Sequence, residues 1–529
     1  MAILVPNIST GLNEPKQAAI ALALKKLGLT QKDITHAYIA KSSVDARKRE
    51  QIQLVYSVGI EAPNEAAILK RAGNIGAVIR NKTALSLKKG EQTLAHPPVV
   101  AGFGPAGMFA ALLLARAGFH PIVLERGGSV DERVNAVNTF WQGGALDVNT
   151  NVQFGEGGAG TFSDGKLTTR INDERCDFVL DEFCHHGAPA DILEKAKPHI
   201  GTDKLRGVVK SIREEIIRLG GQVLFHTCLT DITVKDGRLV SVTANQQVIP
   251  CETLLLCIGH SARDTFSMLL QKQVAMQPKA FSVGVRIEQL QQTIDEGLYG
   301  RFAGHPALPK GEYQLSHRLN GRGVYTFCMC PGGFVVPSSS EENGVVTNGM
   351  SEYLRNGVNA NAAVAVGVEP ADFGGGVLDG IAFQRRLEST AFQHGGNNYN
   401  APAQTVGRFL SSQPGLALGR IQPSYAIGVT EADFTKIFPP FVSDMLKLGL
   451  VNFNSKLKGF ASPDAVLTGV ETRTSSPVRI LRDDALQSQG LRGLYPCGEG
   501  AGYAGGIVSA AVDGVRIAQA VMERFRPFE

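Results

Sequence analysis

The sequence has no long hydrophobic run. Its longest apolar stretches, such as FAALLLARAGF from Phe109 to Phe119, fall far short of the roughly 20 residues a membrane-spanning helix needs, so no membrane partner is expected. The opening, MAILVPNISTGLNEPK, lacks the basic segment and long apolar segment of a secretory leader. Cysteine is sparse, with eight residues scattered through 529, no C-x-x-C and a single C-x-C at Cys328 and Cys330. That argues against a disulfide framework and against paired zinc ligands, and it predicts a reducing, cytoplasmic location with no metal. G-x-S-x-G and H-E-x-x-H are absent as well, which removes the common hydrolase and zinc-peptidase readings.

What is present is ordinary in bulk and uneven in detail. A chain of 529 residues is too long for one core, so two or three domains are expected. The 60 glycines point to many tight turns and close backbone approaches. The formal charge of +4 divides unequally: residues 1–95 carry +7 and the remainder −3. The N-terminal segment is therefore read as a distinct unit with a basic surface, either a solvated face or a surface for nucleic acid or an acidic partner.

Residues 1–90 read as a small α+β domain. PKQAAIALALKKLG and NEAAILKRAG have helical spacing, and ITHAYIAKSS and KREQIQLVYSVGI read as strands. SLKKGEQTLAHPP is expected to be a polar linker. Then VVAGFG forms a short buried strand, and Gly102, Gly104 and Gly107 spell G-x-G-x-x-G before an Ala/Leu-rich helix. PIVLE is a second strand ending in Glu125. In this context the pattern predicts an adenine dinucleotide: the first Gly makes the turn, the second admits a pyrophosphate, and the third lets helix and strand pack closely. Pro105 and Ala106 open the helix whose N–H groups face the phosphates. Glu125 is expected to accept the ribose hydroxyls and to repel a 2′-phosphate, a charge that neighbouring Arg126 does not obviously cancel. DKLRGVVKSIREEIIRLGG then reads as an amphipathic helix and QVLFHT as a third strand. DITVKDGRLVSVTANQQVIPCE follows as a three-stranded meander and TLLLCIGH as a strand ending at Gly259. GLYPCGEGAGYAGGIVSAAVDGVRIAQAVMERF closes the chain as strand, Gly-rich turn and helix.

NVQFGEGGAGTFSDGKLTTR, residues 151–170, contains both G-x-G-x-x-G and most of a P-loop. Leu167 stands where Ser or Thr would hold Mg²⁺, and no Ala/Leu helix follows Gly160. The loop is therefore read as a Gly-rich nest against the cofactor, with Gly157, Gly158, Thr161 and Ser163 in contact, or as a plain surface loop.

This layout resembles the FAD-binding half of glutathione-reductase-like flavoproteins. GFGPAGMFAA with Glu125, LLLCIGHSARD, and GLYPCGEGAG with Glu499 in place of Asp carry that resemblance. FGEGGAGTFSDGKL, FCMCPGGFVVPSSSEENGVVTNGMS and GVETRTSSPVRI are similar to a bacterial family of uncharacterised FAD-dependent dehydrogenases. The resemblance implies bound FAD and no particular substrate. The cofactor-binding residues it adds to those above are Leu229, Gly259, Gly498, Glu499, Gly505, Gly506 and Ile507.

The fold expected is α/β: a discontinuous Rossmann-like FAD domain at 96–278 and 471–529, an inserted α+β domain at 279–470 covering the flavin, and the N-terminal domain at 1–90. Catalytic candidates are Arg473, Arg479, Cys328, Cys330 and His260. GVETRTSSPVRI packs two guanidiniums, a carboxylate and four hydroxyls between Glu471 and Arg479. Its arginines either hold an anion or pair with Glu471 between domains. Cys328 and Cys330, two apart on a strand, are expected to share one face, as buried thiols or as redox or covalent groups beside the flavin. His260 either touches the flavin or caps a turn. Arg385, Arg386 and Glu388 are expected on an exposed, ion-paired helix face. The function expected is an FAD-dependent oxidoreductase, with NAD(P)H possible as a transient reductant. The alternative is a flavin-containing binding or redox-sensing protein whose basic N-terminal domain holds RNA or a protein.

Overall fold

The computed structural model describes residues 1–73, 75–81 and 85–528. At its centre is a five-stranded parallel sheet in the order Leu494–Pro496, Leu254–Leu256, Val99–Ala101, Ile122–Leu124, Gln222–Leu224. Parallel strands need cover on both faces, and alternate residues face each way. Val100, Val123, Leu255 and Tyr495 pack with the helices Pro105–Arg116, Thr202–Arg218 and Ile507–Arg524. Val99, Ala101, Leu124 and Leu254 pack instead with the helix Arg263–Gln271 and with the meander Leu229–Lys235, Arg238–Ala244, Gln247–Pro250.

The helices Pro105–Arg116 and Ile507–Arg524 press together where a side chain is missing: a Cβ on Gly514 would lie 2.1 Å from the Ala106 carbonyl oxygen. A Cβ on Gly107 would lie 1.9 Å from the Gly102 oxygen, so the first helix packs onto its own preceding turn only because hydrogen stands there.

A seven-stranded sheet forms a second layer, ordered Ser316–Leu319, Arg322–Cys330, Asn359–Val368, Phe281–Leu290, Val466–Glu471, Ala401–Thr405, Val429–Glu431. Val283, Val285, Ile287, Val364 and Val366 form its core with Phe383, Leu387, Leu446 and Leu450 of the helices Asp379–His394 and Pro440–Lys456. The chain enters and leaves this layer along one seam, where Met276–Pro278 pairs antiparallel with Val478–Ile480. Strand Arg322–Cys330 is not regular. Phe327 pairs with Ala363 but Cys330 with Asn361, so one extra residue is inserted, and Cys328 has φ +45°. The expected sharing of one face by Cys328 and Cys330 is corrected by this bulge.

Residues 2–80 supply the third sheet, ordered His36–Asp45, Gln53–Glu61, Ala2–Thr10, Val78–Arg80, with the helices Lys16–Leu27 and Glu65–Ala72 packed on it. The inner strand Ala2–Thr10 and the edge strand Val78–Arg80 are additions to the elements expected. The segment read as a free linker is bound. Gly90 N donates to Met522 O at 2.7 Å, Gln92 N to Arg524 O at 3.3 Å, and Arg526 N returns a bond to Gln92 O at 2.9 Å. The last carbonyls of a helix have no partner within it, and this segment supplies partners. Among the described residues no helix is long and apolar enough to cross a membrane.

The helix crossing gives a direct test. Gly514→Val forces the Ala106 backbone away and should destabilise the fold by about 1–3 kcal/mol or more, the scale of overpacking. A Cβ at Gly207, in the helix Thr202–Arg218, meets nothing within 4 Å. Gly207→Ala should stabilise by up to about 1 kcal/mol through helix propensity alone. Thermal melting of the two variants should move in opposite directions.

Candidate functional site

A cleft of about 1330 Å³ lies between the parallel sheet and the seven-stranded layer. Its lining includes Gly102, Gly104, Pro105, Ala106, Glu125, Arg126, Gly158, Ser163, Leu229, Gly259, His260, Cys328, Arg473, Glu499, Gly505, Gly506 and Ile507. Two long helices start at this cleft, one after Gly104 and one after Gly506, and neither has a side-chain cap. Their first-turn N–H groups are donors without side-chain acceptors, beside the positive end of each helix dipole. Gly104 itself has φ −76° and its nearest neighbour to an added Cβ is the Gly158 Cα at 3.7 Å, so its lack of a side chain opens the cleft rather than serving the turn.

The glycine loop lies against that first turn, with a Gly158 Cβ position 3.0 Å from the Gly104 Cα. It is held by a buried arginine. Arg133 donates from Nε to Asn151 O at 2.7 Å, from Nη2 to Val152 O at 2.8 Å, and from Nη1 to Glu156 O and Gly158 O at 2.7 and 2.8 Å. These bonds replace the partners that an irregular backbone lacks. Gly157 and Thr161 do not line the cleft. Gly157 N donates to Phe103 O, and Thr161 is fully buried with its hydroxyl donating to Glu156 O at 3.4 Å. Ser163 lines the cleft but its hydroxyl donates to Gly160 O at 2.6 Å. Lys166 faces Glu312 at 3.3 Å.

Glu125 is already engaged. Its carboxylate accepts from Phe103 N at 2.8 Å, Gly127 N at 2.9 Å and Gly155 N at 3.0 Å, which ties the first glycine turn to the glycine loop. Arg126 lies over the Phe154 ring at 4.5 Å and donates to Asp264 at 2.6 Å. Gly107 packs under the turn, and Gly498, at φ +75°, packs with its Cβ position 2.7 Å from Ala106 Cβ while its N–H donates to Asp513 at 2.8 Å. Neither lines the cleft.

At the far side of the cleft the arginine assignments change. Glu471 pairs with Arg286, at 2.7 and 2.8 Å, and not with Arg473. Arg473 instead donates from Nε and Nη2 to Glu388 at 3.2 and 3.0 Å, and from Nη1 to Ser340 Oγ. Arg263 holds the same carboxylate at 2.8 Å from both Nη1 and Nη2. Glu388 is thus buried between two arginines, which correct its expected place on an exposed face; Arg385 and Arg386 are exposed there, Arg385 paired with Glu341 at 2.5 Å. Arg263 and Arg473 hold the Glu388 carboxyl well below the usual range against its burial. Arg479 does not line the cleft; it donates to Gly502 O at 3.2 Å and lies over Tyr503.

Burial, with Arg473 and Arg263 nearby, pushes His260 down to about 3, so its ring is neutral at physiological pH. Its Nδ1 meets Ser261 Oγ at 3.0 Å and its Nε2 lies 3.9 Å from Glu499. Burial raises the Glu499 carboxyl to about 7 although Lys279 opposes the shift. Nothing in the sequence marked Arg133, Arg263 or Arg286, because each is buried by partners outside its own helix or strand.

A protein of Clostridium beijerinckii described as uncharacterised is 49% identical over 529 residues, covering 99% of both chains. The family model "FAD-dependent protein, C-terminal domain-like" matches residues 280–474, and a domain of unknown function (DUF8436) matches residues 3–61. Solved structures with a likeness include CtdE in complex with FAD, at 11% identity, 81% and 84% coverage and a TM-score of 0.32. Another is glycerol-3-phosphate dehydrogenase from Bacillus halodurans complexed with FAD, at 12% identity, 83% and 67% coverage and a TM-score of 0.35. The open, uncapped helix starts and the glycine cradle suit a dinucleotide pyrophosphate. The chain belongs to a family of FAD-dependent proteins without an assigned substrate, and FAD is its cofactor.

Proposed function

We propose that the protein is an FAD-dependent oxidoreductase acting on a small molecule that enters the cleft from beneath the seven-stranded sheet. The observation that carries this reading is the pair of uncapped helix starts at Gly104 and Gly506 facing one cleft. Gly102, Gly104, Pro105, Ala106, Gly158, Gly505, Gly506 and Ile507 would hold the pyrophosphate. Glu125, Arg126 and Leu229 would hold the adenosine, and Gly259, His260 and Glu499 would lie beside the flavin. FAD supplies electron-pair transfer when bound.

The remaining work falls to the chain. Neutral His260 offers hydrogen bonds without charge. Glu499 can hold or release a proton near neutrality at its carboxyl oxygen. Arg473, locked by Glu388 and Ser340, presents a fixed positive edge to the cleft rather than a mobile clamp. The seam at Met276–Pro278 and Val478–Ile480 supports reading residues 279–470 as an inserted cap on a discontinuous FAD domain, 96–278 and 471–529, with residues 1–90 as a separate unit. NAD(P)H, as reductant, would dock transiently.

The reading is tested by identifying the cofactor released on denaturation and by mixing the protein anaerobically with NADH or NADPH. Released FAD and bleaching of its absorbance are the expected outcome; NADP in place of FAD would overturn it. Gly104→Val should remove FAD from the purified protein while the flavin-free form melts within a few degrees of the parent, because the new side chain projects into the cleft.

Glu499 gives a pH test on the flavin-free protein. Burial lifts its carboxyl from 4.5 to about 7, so the folded state binds this proton more tightly than the unfolded chain. Its contribution to stability therefore falls as pH rises from about 4.5 to about 7. Glu499→Gln removes that loss. The variant should match the parent below pH 4.5 and melt progressively higher than it up to pH 7, levelling above. A gap that narrows with rising pH would contradict the burial of this group.

A further inference from the structure

We propose that Cys328 and Cys330 form a redox pair at the wall of the cleft, cycling between dithiol and disulfide by exchanging an electron pair with FAD. The choice of electron partner rests on the oxidoreductase reading; the pair itself rests on geometry. The bulge in strand Arg322–Cys330 breaks the alternation that would place two residues two apart on one face. It leaves Cys328 half-buried on the cleft wall and Cys330 fully buried behind it. Cys330 Sγ lies 3.3 Å from the Cys328 carbonyl oxygen, so the inner thiol is turned toward its neighbour. Cys328 holds φ +45°, a region that a non-glycine residue rarely occupies and that clusters at functional sites.

The surroundings make the two sulfurs unequal. Contact with the Cys330 thiol, then the positive charges of Arg286 and Lys166, pull the Cys328 thiol down against burial and against Glu471. The Cys330 thiol is pushed up by Cys328 and by burial. Arg286 is fixed for this task, since Glu471 grips its Nε and Nη2 while its Nη1 donates to Cys328 O at 2.8 Å. Glu499, Asp164 and Tyr313 also face the pair, Glu499 toward Cys328, and Asp164 and Tyr313 toward Cys330. A second contacting pair, Cys257 and Cys497, provides the contrast. Cys497 is fully buried and pushed up by burial first.

The step balances. The Cys328 thiolate and the Cys330 thiol form one S–S bond, the Cys330 S–H bond breaks, its proton leaves into the cleft, and two electrons pass to FAD. The reverse step consumes two electrons and one proton and restores the thiolate–thiol pair.

Reductive titration of the air-oxidised holoprotein should consume about twice the reducing equivalents per flavin that Cys328→Ser or Cys330→Ser consumes, since each couple takes two electrons. Equal consumption in all three would overturn the proposal. A second readout does not need the flavin. The protein stripped of flavin is equilibrated with oxidised and reduced dithiothreitol, alkylated with iodoacetamide and digested. The expected peptide carries an internal Cys328–Cys330 disulfide, and in the reduced protein Cys328 is alkylated with a midpoint well below the ~8.5 of a free thiol. Two free thiols at every poise, or a midpoint at or above that value, would overturn the pair even if the protein proves to be a flavoprotein. If no flavin is found but the disulfide forms, the pair stands and the oxidoreductase reading fails.

Discussion

Two helices can aim their amino ends into one cleft only if their bodies approach to backbone contact, and one missing methyl makes that approach possible. Gly514 lets the helix Ile507–Arg524 lie on the Ala106 carbonyl, and Gly107 lets the other helix lie on the Gly102 turn. The cost of leaving a helix position without a side chain is about 1 kcal/mol each. The return is geometric. The first turns at Gly104 and Gly506 converge, with no side chain competing for their N–H groups. Glu125 and Arg133 then fasten the glycine loop to this assembly through seven backbone groups, so an irregular segment becomes part of a rigid wall.

The opposite wall is organised by charge. One carboxylate, Glu388, serves two buried arginines, Arg263 and Arg473, while Glu471 serves Arg286 alone. Burying ions is costly unless every lone pair and proton is matched, and here the partners are multiply bonded. Burial in this wall, and then the charges of Arg473 and Arg263, suppress protonation of His260. Removed from its cluster, the same histidine would titrate near neutrality, so its protonation state is a property of the wall rather than of the residue.

Much of this was legible in the sequence, and the failures have a common cause. The strand–glycine–helix–strand order from Val99 to Leu124 is local, so spacing alone found it. The closing turn before Ile507 was found the same way. Glu388 was misread because its helix face is polar by periodicity, while its partners lie 125 and 85 residues away in the chain. Arg133 was invisible for the same reason: a polar helix residue looks solvated until a loop folds over it. The bulge at Cys328 depends on register against strand Asn359–Val368, which no single segment encodes. The segment around Gly90 read as a linker because its composition is polar, yet its amides pair with the end of the last helix.

The strand order of the parallel sheet also sets a timetable. Leu494–Pro496 is an edge strand, and the helix after it completes the cleft, yet both are synthesised after the whole seven-stranded layer. Domains fold as they emerge, from the amino end onward. On the ribosome, the first glycine turn and its helix therefore wait with an uncovered apolar flank, including Ala106, Ala110 and Leu113, until Val508, Ala511 and Val515 arrive to cover it. A nascent protein stalled before residue 494 would therefore expose an apolar helix flank.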